Sequence, residues 1–252
     1  MVKTAIITGG GTGIGKGIAL KMLDQGYDVA VTYHSSSTGA DEVVDYATSI
    51  GRKAIAIKAN LSLVSDIEYM FSEFLKAFDR LDVFVNNAGL TKTAAFLDTD
   101  EATFDSMCDL DFKGSYFCIQ GAAKIMRNRN IEGSIIAISS NHSIAHFANV
   151  SVYGPVKAAL CKLAEHAAIE LAKYRIRVNS ISPGWTDTGS SRLDAKQDTY
   201  YKIPLKKWTT PDEIADAVLF LSGESAASIT GVNLVIDNGA LLLCDKAERY
   251  GL

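Results

Sequence analysis

Residues 2–23 read V-K-T-A-I-I-T-G-G-G-T-G-I-G-K-G-I-A-L-K-M-L. The run 2–8 is short, apolar and β-branched, which reads as a strand. Ile18, Ala19, Met22 and Leu23 recur at helical spacing and give the following helix an inner side. Between them, T-G-G-G-T-G-I-G (8–15) places Gly9, Gly13 and Gly15 three residues and then one residue apart. Glycine tolerates positive φ and lets a backbone and a ligand approach closely. The helix N-terminus behind it offers unpaired N–H groups to a pyrophosphate. Such a turn either joins strand to helix and binds nothing, or cradles a dinucleotide. The common G-x-G-x-x-G spacing is absent in every register, so the turn decides little until its surroundings are read.

Outward from this unit, strand-like runs recur at 28–33, 53–58, 81–86, 134–139, 177–181 and 233–237. Most are separated by stretches with helical spacing, such as Ile67, Met70, Phe71, Phe74, Leu75 and Phe78. Alternation of this kind predicts an α/β fold with a parallel sheet covered on both faces. Near-continuous apolar strands fit burial on both sides. Right-handed crossovers then give a Rossmann-type doubly wound parallel sheet of seven strands, a single domain spanning 1–252. The glycine turn after the first strand then stands where a dinucleotide is held, and the binding reading is preferred. The stretch 183–210 has no obvious core element and reads as a substrate loop.

The chain has 252 residues, 48% hydrophobic and 21% charged, with net charge −4. No run of like charge exceeds two residues, so no nucleic-acid surface is expected. No apolar stretch approaches the ~18 residues of a membrane span. No secretion signal is read at the N-terminus. Cys108, Cys118, Cys161 and Cys244 fit no metal spacing and read as core thiols of a reducing compartment, with the cytoplasm expected.

V-S-V-Y-G-P-V-K-A-A-L (150–160) places Tyr153 four residues before Lys157. Pro155 is tolerated only in a first helical turn, so the helix begins near Gly154 with Tyr153 at its mouth. The two side chains then share a face. A free phenol, with a pKa of ~10, is a poor base at neutral pH, and a nearby ammonium favours the phenolate. An isolated Y-x-x-x-K is ordinarily solvated helix surface.

Four motifs in order resolve the ambiguity: T-G-x-x-x-G-x-G at 8–15, N-N-A-G at 86–89, Ser140 thirteen residues before Tyr153, and P-G-x-x-x-T at 183–188. Together they make the whole chain resemble the short-chain dehydrogenase/reductase family, nearest the branch of glucose 1-dehydrogenases and 3-oxoacyl-(acyl carrier protein) reductases. The resemblance implies Tyr153 as general acid/base, Lys157 on the nicotinamide ribose and Ser140 on the substrate oxygen. It implies cofactor contacts from Gly9, Thr12, Gly13, Ile14 and Gly15, from Tyr33, His34 and Ser35, and from Asn60 and Leu61. Asn87, Ala88, Gly89, Pro183, Gly184, Thr186 and Thr188 complete the cofactor pocket. Substrate contacts fall to Ser140, His142, Tyr153 and Trp185. A homotetramer with a contribution from the leucine-rich tail 240–252 is also implied.

Two positions depart from the family pattern. The adenine-side aspartate is replaced by Asn60, whose carbonyl still accepts a hydrogen bond. The fourth catalytic member, usually asparagine, is Asp111 in D-L-D-F-K-G (109–114); in the family it lies at a helix irregularity and acts through its backbone carbonyl. D-N-G (237–239) replaces the usual D-G-G and reads as neutral. Tyr33 stands where NAD-selective Rossmann enzymes carry an acid, so NADP(H) is expected to be preferred without strict exclusion of NAD(H). No arginine is present there to clamp a phosphate.

His146 reads as a solvated loop residue, and Arg127 and Arg129 as a helix end rather than a carrier-protein surface. Trp185 and Trp208 bracket the substrate loop as lid anchors or plain packing. The expected function is interconversion of a secondary alcohol and a ketone on a small, sugar- or polyol-like substrate. A 3-oxoacyl-(acyl carrier protein) reductase and a non-catalytic dinucleotide-binding regulator are the alternatives.

Overall fold

The computed structural model describes residues 1–189 and 199–242. Seven strands, β1 Thr4–Ile7, β2 Asp28–Tyr33, β3 Ala54–Lys58, β4 Val83–Asn86, β5 Ser134–Ile138, β6 Arg177–Pro183 and β7 Asn233–Ile236, form one sheet. Their order is β3-β2-β1-β4-β5-β6-β7, and every pairing is parallel. Each strand lies where the sequence placed one. β6 extends to Pro183, whose neighbour Ser182 donates its hydroxyl to Asn233 Oδ1 of β7 at 2.8 Å.

Alternate strand residues feed two apolar layers. Ile6, Phe84, Ile135 and Ala137 face one side, with helices α3 Val64–Ala77, α5 Ser115–Asn128 and α6 Tyr153–Leu171. Ala5, Ile7, Val83, Val85, Ile136 and Ile138 face the other, with α1 Gly13–Asp24, α2 Thr38–Ser49 and α7 Pro211–Ser222. Phe74, Met70 and Leu160 are fully buried in the first layer, and Ile18, Met22 and Val218 in the second. Burying a side chain of this size stabilises by about 1.5–3 kcal/mol. The short helix α4 Glu101–Met107 leads into a π-helical segment, Cys108–Gly114, before α5.

The strand order reverses between β1 and β4. Beyond the carboxyl ends of these strands lies the crevice in which open α/β sheets bind ligands. Among the described residues no helix is long and apolar enough to cross a membrane. Cys118 and Cys161 are buried and Cys108 is half-buried, all as free thiols; burial pushes the Cys118 thiol up to about 12. Cys244 and the tail beyond Leu242 lie outside the described residues, as does 190–198 of the substrate loop.

Candidate active site

The crevice is a cleft of about 1060 Å³. Gly9, Thr12, Gly13 and Ile14 form its glycine wall, Tyr33, His34 and Ser35 one end, Asn60 and Leu61 a side, and Asn87, Ala88 and Gly89 the floor. Thr188 faces the glycine turn across it. Gly9 and Gly13 hold φ of +64° and +51°, a region costly for residues with a Cβ. A Cβ on Gly13 would come within 3.2 Å of Thr188 Cγ2. Thr12 caps α1 with extended backbone and no side-chain hydrogen bond, so the first N–H groups of the helix lack intrahelical partners. Thr8, which sequence reading passed over, fastens the floor to this turn. Its hydroxyl accepts from the N–H groups of Asn87 and Ala88 at 2.8 and 2.9 Å, and Asn87 Nδ2 donates to Thr8 O at 2.9 Å. The volume, the glycine cradle and the open N–H groups fit a dinucleotide.

Several expected cofactor contacts also hold the backbone around the cleft. A Cβ on Gly15 would stand 2.3 Å from Gly9 O, so this glycine allows the turn to close on itself. Gly184 has the same role against Asp237, where a Cβ would meet a Cβ at 2.6 Å. Thr186 donates its hydroxyl to Gly184 O at 3.1 Å. Of the expected cofactor contacts, Gly15, Tyr153, Lys157, Pro183, Gly184 and Thr186 are not among the residues lining the cleft itself. The Asn60 carbonyl oxygen, expected to accept from the cofactor, accepts from Ser62 N and Ser62 Oγ at 3.2 and 2.8 Å. That leaves the Asn60 amide nitrogen, a donor, for any partner in the cleft. Leu90, Thr91 and Leu110 line the cleft and were not anticipated. Among the described residues, those lining the cleft include no carboxylate.

Tyr153 is the first residue of α6, and Pro155 lies in its first turn, as the spacing required. Lys157 is buried, with Nζ 5.6 Å from the centre of the Tyr153 ring. Its one protein hydrogen bond among the described residues is to Ile138 O at 3.4 Å, which leaves donors unused. It stands directly behind Gly89, where a Cβ would come within 3.1 Å of Nζ. Ser140, at the end of β5, is buried, and its hydroxyl accepts from His142 N at 3.2 Å while keeping its own proton to donate. Ser139 Oγ donates to Lys157 O at 2.9 Å and ties β5 to α6.

Asp111 sits inside the π-helical segment, the irregularity expected there, and is fully buried. Its Oδ1 accepts from Leu90 N at 2.9 Å. Its Oδ2 has no hydrogen-bond partner among the described residues and lies 3.8 Å from Lys157 Nζ. Burial pushes the carboxyl up; the charge of Lys157 and the Leu90 N–H pull it back in part.

An aromatic wall adjoins the phenol. The His142 ring stacks on Phe147 at 4.1 Å and meets Tyr153 edge-on at 5.4 Å; Phe147 in turn meets Trp185 at 6.0 Å. Phe147 was missed, although an aromatic residue in the loop between Ser140 and Tyr153 was a usable signal. Burial lowers the His142 pKa and holds its imidazole neutral. His146 is exposed. Trp208 Nε1 donates to Thr199 Oγ1 at 2.7 Å. Arg127 is the last-turn residue expected of a helix end; it donates to Asn128 Oδ1 and lies over Tyr174. Asn238 adopts φ +56° and donates to Lys207 O and Thr209 Oγ1, so D-N-G anchors the substrate loop. A smaller cleft of about 590 Å³ lies at the opposite edge of the strands around Arg80 and Asp82, and contains none of the site residues.

A nucleotide cradle at the switch point of a parallel sheet, beside a phenol, an ammonium and a hydroxyl, defines a dinucleotide-dependent oxidoreductase. A family model described as enoyl-(acyl carrier protein) reductase matches residues 9–240. The 3-oxoacyl-(acyl-carrier-protein) reductase FabG of Staphylococcus aureus (strain Mu50) is 35% identical over 95% of this chain and 98% of its own length. Glucose 1-dehydrogenase 2 of Bacillus subtilis (strain 168) is 33% identical over 98% and 97%. The crystal structure of acetoin dehydrogenase from Enterobacter cloacae superposes with a TM-score of 0.87 at 34% identity, over 96% and 97% of the two chains. The chain belongs to the short-chain dehydrogenase/reductase family, a family of enzymes that use NAD(P)H.

Proposed function

We propose that this enzyme interconverts a small secondary alcohol and its ketone, with a sugar- or polyol-like molecule as substrate and Tyr153 as general acid/base. The observation that carries the reading is the buried Lys157, with unused donors, one helical turn from Tyr153 and directly behind Gly89 of the cleft floor. A bound nicotinamide supplies or removes the hydride. Ser140 orients the substrate oxygen with its free hydroxyl proton. In reduction the Tyr153 O–H bond breaks as the alcohol O–H bond forms; oxidation reverses this. Lys157 stabilises the phenolate and holds the ribose hydroxyls. Gly9, Gly13, Ile14 and Thr188 hold the diphosphate and carboxamide regions of the cofactor. The aromatic wall of His142, Phe147 and Trp185 excludes water beside the phenol.

NADP(H) is the preferred cofactor in this reading, because among the described residues no carboxylate lines the cleft to repel a 2′-phosphate, and His34 and Ser35, which line it, carry donors for that phosphate. A homotetramer in the cytoplasm completes the assignment. The similarity to acetoin dehydrogenase and glucose 1-dehydrogenase, whose named substrates carry oxygens on adjacent carbons, supports the polyol-like substrate. The similarity to FabG supports a second reading, a 3-oxoacyl thioester. The test is the change in reduced-nicotinamide absorbance with sugars, polyols, hydroxyketones and a 3-oxoacyl thioester. Turnover confined to the thioester selects the second reading. Tight dinucleotide binding without any turnover overturns both.

A further inference from the structure

We propose that the Asp111 carboxylate is a positioning group that shares the Lys157 ammonium with Tyr153, and so favours the phenol, the proton donor of ketone reduction, over the phenolate that oxidation needs. The inference rests on the proposed role of Tyr153. It starts from an unusual pairing. Asp111 is fully buried, yet Oδ2 has no hydrogen-bond partner among the described residues. Its nearest cation, Lys157 Nζ, stands at 3.8 Å, beyond the ~2.7–2.9 Å of a charge-assisted hydrogen bond. Gly89 provides the space: a Cβ there would come within 2.8 Å of Asp111 Oδ1 and 3.1 Å of Lys157 Nζ. The other carboxylate oxygen is held by Leu90 N, so the side chain cannot turn away without losing that bond.

Among the described residues Lys157 is the cation that faces both anionic forms, and His142, whose pKa burial lowers, meets the Tyr153 ring edge-on at 5.4 Å. From α6, Lys157 and Tyr153 face this space. On the segment of Asp111 itself, Asp109 is paired with Lys113 on the exposed side, and Cys108 is a thiol raised by burial and by Asp105, Asp109 and Asp111. Asp105, on α4, is a further negative charge. The segment Asn87–Leu90 contributes no ionisable side chain. When Asp111 is protonated, the ammonium acts on the phenolate alone. When Asp111 is ionised, the carboxylate cancels part of that attraction, and less of it reaches the phenolate. A neutral amide at this position would provide no such competition. The carboxylate therefore favours the protonated phenol that reduction requires and delays the phenolate that oxidation requires.

Asp111→Asn in the full chain tests this. The rise of alcohol oxidation with pH and the fall of ketone reduction with pH are both expected to move to lower pH. Asp111→Ser, also uncharged, should move both the same way, which separates charge from shape. A second readout needs no cofactor. A carboxyl raised in the fold costs no stability below its ordinary value of 3.8, and an increasing amount as pH rises through its folded value. The stability of Asp111→Asn relative to the parent should therefore grow with pH above 3.8 and then level off. Tyr153→Phe is the control: if it retains full turnover, the role of Tyr153 fails whatever Asp111 does. If it is inactive while both pH limbs stay put in the Asp111 variants, the proposal is overturned and the role of Tyr153 stands. A stability difference that does not change with pH also overturns it.

Discussion

The hydroxyl of Thr8 accepts a hydrogen bond from the backbone N–H of Asn87 at 2.8 Å, so the end of β1 holds the floor of the cofactor cleft across the switch point. Ala88 N shares the same acceptor at 2.9 Å. Thr8→Val keeps the shape and strands two donors. Each unmade bond of this kind costs about 1–3 kcal/mol. Denaturant unfolding should show a loss in that range, with weaker dinucleotide binding, and Thr8→Ser should restore both. A loss below roughly 0.5 kcal/mol, the range of neutral surface changes, would mean the floor holds without Thr8.

Gly89 separates the cleft from the Asp111–Lys157 pair. In Gly89→Ala the new methyl meets Asp111 Oδ1 at 2.8 Å and Lys157 Nζ at 3.1 Å, so one must shift. Lys157 is the longer and freer side chain. The expected result is a fall in turnover of ~10-fold or more, with a smaller proportional change in global stability, because misplacing a reacting group is penalised steeply. Unaltered turnover would show that Lys157 has room to spare.

Cofactor choice is tested at Tyr33. Isothermal titration of the parent should give tighter binding of NADP than of NAD. Tyr33→Asp places a carboxylate at the end of β2, where it accepts from a ribose 2′-hydroxyl and repels a 2′-phosphate. The NADP affinity should drop by about tenfold or more, equivalent to about 1.4 kcal/mol, while NAD binding holds or improves. Tighter NAD binding by the parent would reverse the assignment.

The fold was legible because the apolar strands had to be buried on both faces. Ala5, Ile6 and Ile7 feed both layers, and the same holds for Val83, Phe84 and Val85. The spacing of Tyr153, Pro155 and Lys157 also located the start of α6. What stayed hidden depended on contacts far apart in the chain. Nothing local marks Thr8 as the partner of Asn87, 79 residues away. Gly15 packs against Gly9 O and Gly184 against Asp237 Cβ, contacts visible only in three dimensions. The bond of Ser62 to Asn60 has a local cause, since Asx side chains bond backbone two residues on. Phe147 became part of the site only through its stack on His142.

His142 gives a pH signature. Burial depresses its pKa from the ordinary 6.5, so the unfolded chain takes up a proton before the fold does. Stability from this group is complete above 6.5 and is lost as pH falls through and below it. His142→Phe keeps an aromatic ring against Phe147 and removes the titration. Thermal unfolding at a series of pH values should show the variant gaining on the parent as pH drops below 6.5. A constant difference would mean that His142 titrates alike in both states.

The central claim is that Tyr153 moves the proton. Tyr153→Phe deletes one hydroxyl from the first residue of α6 and leaves the ring against His142. Its kcat should be measured in both directions on the best substrate of the panel, with dinucleotide affinity measured alongside. The account predicts a fall in kcat of ~10²-fold or more with cofactor affinity retained, the scale of a lost general acid/base. A kcat within a few-fold of the parent, at equal cofactor affinity, would contradict it.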